Sequence, residues 1–368
     1  KAFGVNLVEL KNSEKKYWEK LFSEPILLPT LIAGEKPKAA ERTSGVALLG
    51  KKITGEFAEE SMQSFARTIL IGPDEQLENL IKVVMENCVL NGVNVVAFDE
   101  DDAFMNMGVP NAVFDSKTYV SLQPIGMPVK NMKPGEVKID LNLINAKMFR
   151  EIIGVEEKEN DYLGKTSAEL VDGVIEKNSG SLRGLEDIEE NLLRITAEEK
   201  KFHIYKAVRW MRVLKNVFPD YFGGKTETRD ISPQYAKTMG SITRVDLKGV
   251  PQNVKRAFVY SVMKSLYANF KEQKATSRLK VIGALIDGEQ YAPSNPRTEL
   301  QKSLLELIAI TSDAGVGYCF GASHETDVFR NAVETSTMKI EFVGRNEVAI
   351  KEENGRPYRA AIRPRLSA

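Results

Sequence analysis

The chain has 368 residues and a mass of 41.1 kDa, enough for about two domains or for one large core with an insertion. Lys plus Arg and Asp plus Glu number 51 each, so no global charge selects nucleic acid, and 42% hydrophobic residues exclude wholesale disorder. Two cysteines, Cys88 and Cys319, and two histidines, His203 and His324, rule out a disulfide framework and a four-thiolate zinc site and leave little for metal ligation or a histidine-based triad.

No apolar run approaches the ~20 residues that span a bilayer, and no signal peptide is visible, so a cytoplasmic location without membrane insertion is expected. The chain begins at Lys1 rather than Met, as a fragment lacking an upstream domain would. Residues 1–44 read as an N-terminal arm, with Tyr17, Trp18, Leu21 and Phe22 on one short helical face.

From residue 45 the pattern becomes that of an α/β core. Val46–Leu49, then Gly50 and Gly55, predict a short hairpin. Thr68–Ile71 is a buried strand that stops at Gly72-Pro73. A helix capped by Asp74 follows, with Leu77, Leu80, Ile81, Val84, Met85 and Cys88 on one face. Val93–Phe98 is the next strand, ending in four acids, Asp99 to Asp102, that read as a solvated turn. Strand, helix, strand implies a parallel sheet.

Residues 151–200 carry 14 acidic and 6 basic residues and a helical pattern. The span 143–230 reads as a mostly helical insertion between core segments 45–142 and 231–368. Its last helix sets Lys206, Arg209, Arg212 and Lys215 near one face, a solvated face or a stripe for phosphate, and places His203 on its surface. Further strands are expected at Ile242–Leu247, Val281–Ile286, Val316–Phe320 and Met338–Val343, with a helix after Ile242–Leu247 and another over 299–312. The tail carries Arg356, Arg359, Arg363 and Arg365, read as a solvated strand edge or as a contact across a subunit boundary. Cys88 and Cys319 read as core packing.

Ligands of an open parallel sheet sit at the carboxyl ends of its strands, here near Gly72–Asn79, Asp99–Asp102, Asp287–Gln290 and Gly321–Asp327. A phosphate loop reads G-x-x-x-x-G-K-[ST] between strand and helix. Gly72 opens such a frame, but Leu77 stands at the second Gly, Glu78 at the Lys and Asn79 at the Ser or Thr. Two Gly-Lys-Thr strings, at Gly164 and Gly224, lack both the first Gly and a preceding strand.

In the order of these pieces, residues 46–366 resemble the motor domain of the HerA/FtsK superfamily, the ring-forming ATPases that pump DNA. The resemblance implies a P-loop NTPase-like (RecA/FtsK-type) α/β fold, a mainly parallel sheet flanked by helices. In its terms Ile286-Asp287-Gly288-Glu289-Gln290 holds the place of the Walker B strand end, and Gly321-Ala322-Ser323-His324 that of the sensor strand. Asp287 is then a candidate Mg²⁺ partner, Gly288 replaces the catalytic Glu, Glu289 is out of register, and His324 stands at the sensor Gln.

The degenerate positions imply a pseudo-ATPase: a structural or regulatory subunit of a DNA-processing or DNA-transfer machine, with no cofactor. Two alternatives stay open. One is an active translocase or helicase using ATP and Mg, with Lys82 reaching back to the phosphates. The other is a non-catalytic DNA-binding module using the basic stripe and the arginine tail. The family forms rings, so self-association or a related ATPase subunit is expected, with Arg330 and Arg345 as candidate boundary residues.

Overall fold

The computed structural model describes residues 45–114, 123–154, 162–226, 240–272, 278–328, 330–353 and 355–368. The arm expected over 1–44 lies outside the described residues. The first elements are strands β1 (Val46–Lys52), β2 (Phe57–Ser61) and β3 (Arg67–Ile71), helix α1 (Asp74–Leu90) and strand β4 (Asn94–Asp99). Strands β5 (Val129–Met132) and β6 (Ile139–Asp140) lead into helices α2 (Ala146–Ile153), α3 (Tyr162–Lys177), α4 (Leu185–Leu193) and α5 (Lys201–Val217). Then come β7 (Phe222–Gly223), β8 (Ile242–Asp246), α6 (Gln252–Glu272), β9 (Val281–Leu285), α7 (Glu299–Thr311) and β10 (Val316–Ala322). The chain closes with β11 (Met338–Phe342), β12 (Glu347–Glu352) and β13 (Tyr358–Ile362).

One sheet of 11 strands has the order β2-β1-β13-β12-β11-β3-β10-β9-β4-β8-β5. From β11 to β5 every pairing is parallel. The four strands expected in its interior, β3, β10, β9 and β4, lie side by side there. They can do so because their residues are apolar on both faces. Val96 and Phe98 pack into one core and Val95 and Ala97 into the other, as a two-residue period requires. β3 and β4 are parallel but not neighbours: β10 and β9, from far along the chain, sit between them. Strands β12, β13, β1 and β2 extend the sheet antiparallel.

The predicted hairpin forms, but β1 runs through Gly50 rather than ending there. A Cβ at Gly50 would lie 1.9 Å from the Ala361 carbonyl oxygen, so only glycine lets β13 approach. Helix α1 lies in the core on one face of the sheet, while α2 to α7 contribute to the core on the other. Among the described residues no helix is long and apolar enough to cross a membrane. Both cysteines are buried and free, and burial pushes their thiols up.

Three local expectations are corrected. The N-cap of α1 is Pro73, with no side-chain cap, and Asp74 is already helical. His203 is buried on the inner face of α5 rather than at the surface, because α3 and α4 both pack on that helix. Arg363 is not on a solvated edge. It is fully buried and its Nη1 lies 2.8 Å from the Glu86 carboxylate, itself fully buried on α1. Arg363 also donates to the Leu48 carbonyl, and Glu86 accepts from the Leu366 and Ser367 amides and the Ser367 hydroxyl. Removing one partner strands the other charge in the core. Arg363→Ala or Glu86→Ala should each cost about 3–5 kcal/mol in urea denaturation. A double replacement by apolar residues should cost less than either single change.

A second polar cluster sits at the antiparallel end. Glu60 on β2 is buried, hydrogen-bonds Glu352 and accepts from the Tyr358 hydroxyl, while Ser64 donates to Glu352. Burial first, then the Glu352 carboxyl, raises Glu60 to about 7, with Lys52 opposing. A raised carboxyl favours folding below the unfolded value and loses that stability as pH rises through the folded one. Stability should therefore fall between about pH 5 and pH 8. Glu60→Gln should flatten that slope in thermal melts taken across the range.

Candidate functional site

Strand β3 passes into α1 through Gly72 and Pro73 alone. The Gln76 and Leu77 amides already bond the Pro73 carbonyl, so the chain is helical where a phosphate loop would wrap. A phosphate loop works by aiming several backbone N–H groups at one anion. Here the second-Gly position is Leu77, fully in the core, and Glu78 and Asn79 lie along the first turns of α1. The space beside Gly72 belongs to Phe342: a Cβ at Gly72 would sit 2.6 Å from its ring.

A cavity of about 300 Å³ opens at the carboxyl ends of β3, β4 and β9. Its charged lining is Asp74, Glu75, Glu78, Asp99, Glu100, Asp101 and Asp287, with no Lys or Arg. Asp74 and Glu75 occupy the first turn of α1, where the helix dipole favours anionic side chains and would otherwise favour a phosphate. Glu78 is paired 2.7 Å from Lys82 Nζ, one turn on, and lies 4.0 Å from Arg365. Lys82 is buried in that contact.

The acidic turn is not solvated throughout. Asp99 is buried: it accepts from the Ala103 and Phe104 amides and pairs with Arg244 of the neighbouring strand β8. Arg244 also holds Asp102 at 2.7 Å, and Lys248 holds it from the other side. Burial pulls the Arg244 guanidinium down, and Asp99, Asp246 and Asp102 together more than offset it. The Lys248 hydrogen bond holds Asp102 below the usual carboxylate range. Glu100 pairs with Lys255 of α6 and accepts from the Tyr291 hydroxyl. These counter-ions were missed in the sequence. The readable signal was Arg244, a cation inside an apolar strand, which demands a buried carboxylate opposite.

Asp287 follows β9 and is half-buried. Burial first, then Glu100, Asp74 and Asp101, pushes its carboxyl up. Burial does the same to Glu289, whose Oε2 is enclosed without a hydrogen-bond partner. Among the described residues no set of three His, Cys, Asp or Glu side chains is placed to hold a metal ion. His324 is exposed at the end of β10. The residues of the cavity therefore do not fit a nucleotide: every charge on its wall has the sign of a phosphate.

The other candidate residues lie apart from this cavity. Arg212 and Lys215 are tied to Glu189 and Glu186 of α4, at 2.7 and 2.6 Å. Lys206 stacks over Trp210, and Arg209 is exposed. Arg330 is exposed and bonded to Glu334, and Arg345 is exposed in the β11–β12 turn. Gly224-Lys225-Thr226 follows β7, with the Thr226 hydroxyl against Ser261 at 2.6 Å.

No protein-family model matches the chain, and no curated protein matches it. Among solved structures it is similar to VirB4 of Thermoanaerobacter pseudethanolicus, at 12% identity and a TM-score of 0.54, over 86% of this chain and 96% of that one. It also aligns with the plasmid coupling protein TrwB in complex with the non-hydrolysable GTP analogue GDPNP, at 12% identity and a TM-score of 0.45, over 91% of this chain and 85% of that one. At such identity the VirB4 likeness is one of fold. It agrees with the P-loop NTPase-like α/β architecture that the order of the motifs led one to expect.

The turn after β9 gives a test of the packing around it. A Cβ at Gly288, the position of the catalytic Glu in the resemblance, would lie 2.6 Å from Phe320 Cβ and 2.9 Å from the Gly321 carbonyl oxygen. Gly288→Glu should therefore lower stability by about 1–3 kcal/mol through overpacking, seen as a lower melting temperature. It should not confer ATP hydrolysis.

Proposed function

We propose that the chain is a HerA/FtsK-like pseudo-ATPase, a non-hydrolysing structural or regulatory subunit of a DNA-processing or DNA-transfer machine. The observation that carries this reading is the direct passage of β3 into α1 at an all-acidic cavity. One like charge 4 Å from a phosphate costs about 4 kcal/mol at an effective dielectric of 20, roughly a thousandfold in affinity. Several carboxylates surround the place where phosphates would lie. Lys82, the residue an active enzyme would have to recruit, is committed to Glu78. The link to DNA transfer comes from the HerA/FtsK resemblance in the order of the motifs; the VirB4 likeness supports its fold alone. Assembly with itself or with a related ATPase subunit belongs to the same proposal.

Calorimetric titration with Mg-ATP should give no binding at micromolar concentrations. Tight, Mg²⁺-dependent binding that is lost on substitution at Glu78 or Asp287 would overturn the reading. Glu78→Lys combined with Asn79→Thr should not recover binding either, because residues 74–79 are helical and the new lysine would face Lys82.

A further inference from the structure

Strand β2 stands at one end of the sheet and, among the described residues, pairs with β1 alone. Its sequence is Phe-Ala-Glu-Glu-Ser. The two-residue period of a strand turns Ala58 and Glu60 inward, both buried, and Glu59 and Ser61 outward. One methyl and one carboxyl therefore stand where large apolar side chains would otherwise seat the strand. Glu60 is 8% exposed and lies opposite Ala47 on β1, a residue small enough to let its side chain reach toward β13 and β12. There it meets the Tyr358 hydroxyl of β13 and the carboxyl of Glu352, the last residue of β12.

Two carboxyls in mutual hydrogen bond share one proton. The groups around them suit that state. Tyr358 donates to Glu60, and Ser64, in the short turn Met62–Ala66, donates to Glu352 at 2.7 Å. Among the described residues the cation acting on Glu60 is Lys52 of β1, and its charge is divided. Lys52 lies 3.9 Å from Glu56 and 4.8 Å from the centre of the Tyr358 ring, and it also opposes the raised carboxyl of Glu59. Arg67 is engaged by Glu353, the residue after Glu352, at 3.8 Å. Without the shared proton, two carboxylates face each other with part of one ammonium between them and solvent. An inward charge of this kind is a known way of weakening the hold of an edge strand.

The two ends of this segment are fixed independently of the pair. Strand β1 is held by β13 and by Asn87 and Asn91 of α1, which bond Leu48 and Val46. The turn Met62–Ala66 is held by its buried Met62 and Phe65, by the Leu279 amide on Gln63 and by the Thr337 hydroxyl on the Ser64 carbonyl. We propose that Glu60 and Glu352 form a proton-operated latch: with one proton shared they seat β2 on β1, and when it leaves, residues 53–61 release while the parallel core stays folded. Burial first, then Glu352, raises Glu60 to about 7. The hold is complete below the ordinary carboxyl range, weakens as pH rises toward that value and is lost above it. The pH slope of global stability has the same origin; the latch adds where the structure loosens. Release leaves β1 as the edge of the sheet, its ladder groups on that side unpaired. Neither carboxyl lines the acidic cavity, so the latch stands or falls apart from the pseudo-ATPase reading.

The test is hydrogen–deuterium exchange of the full chain, read by mass spectrometry from about pH 5 to about pH 8.5, with rates corrected for their intrinsic dependence on pH. Protection of peptides over 53–61 should fall by up to about tenfold per pH unit between about pH 5 and about pH 7, the limit for one proton, and level off above. Peptides over β9 and β10 should keep their protection throughout. Glu60→Gln retains hydrogen-bonding capacity without a titrating proton, so 53–61 should stay protected across the range. Glu352→Gln removes the like charge and leaves the burial, so its fall should be smaller and should level off at a lower pH. Both substitutions conserve shape, and the wild-type profile alone already separates a local release from a global loss. No pH dependence over 53–61, a fall shared equally by β9 and β10, or a fall that Glu60→Gln leaves in place would overturn the proposal.

Discussion

Carboxylates crowd the place where the parallel strands end, and the cations that hold them there come from within the chain. Arg244 reaches across from β8 to Asp99 and Asp102, Lys255 from α6 to Glu100, and Lys82 along α1 to Glu78. Arg244 and Lys255 are placed by neighbouring elements of the fold, and Lys82 by the same helix as its partner. Strand ends of parallel sheets collect the polar groups of a site because backbone and side chains there are free of the ladder. In this chain part of that polarity is met internally, at Glu78, Asp99, Glu100 and Asp102.

Helix α1 links this region to the far end of the sequence. Glu78, Lys82 and Glu86 are spaced i, i+4, i+8 and form one polar seam on a helix whose other residues are mostly core. The first two pair with each other, and the third receives Arg363 and the amides that follow it. Residues 363–367 therefore lie along the seam, with Arg365 drawn to 4.0 Å from Glu78. Asn87 and Asn91 make a second seam, bonding the β1 backbone at Leu48 and Val46. A helix that looks simply amphipathic thus ties together β1, the C-terminal segment and the rim of the cavity.

How much of this was readable in the chain follows from the range of each interaction. The interior strands were legible because burial on both faces leaves an uninterrupted apolar run, as in Val281–Leu285. Their order was not, since β9 and β10 enter between β3 and β4 only through contacts distant in sequence. The start of α1 was legible from Pro73, Asp74 and Glu75, all helix-start residues, and that local signal contradicts a loop drawn over 72–79. The tail was misread because four arginines without nearby acids resemble a solvated edge, whereas the acid that Arg363 serves is 277 residues away. His203 was misplaced because one helix viewed alone does not reveal that α3 and α4 both pack on it. The loss of the catalytic letters was legible residue by residue. The pairs around them were legible only in part: Glu78–Lys82 is a local i, i+4 contact, whereas Arg244 and Lys255 reach Asp99 and Glu100 from distant elements.

These pairs change what holds the fold together. In a nucleotide-binding sheet the bound ligand contributes to stability by mass action, about 4 kcal/mol at a thousand times its dissociation constant. The strand ends then depend on a molecule that can leave. Here the corresponding positions are closed by intrachain ion pairs and by side chains such as Phe342 against Gly72 and Phe320 against Gly288. On the pseudo-ATPase reading such an arrangement does not cycle with hydrolysis, because opening it would strand carboxylates rather than release a product. On the pseudo-ATPase reading, the sheet serves as a fixed frame. Any influence on other proteins must then pass through surfaces that the frame holds still.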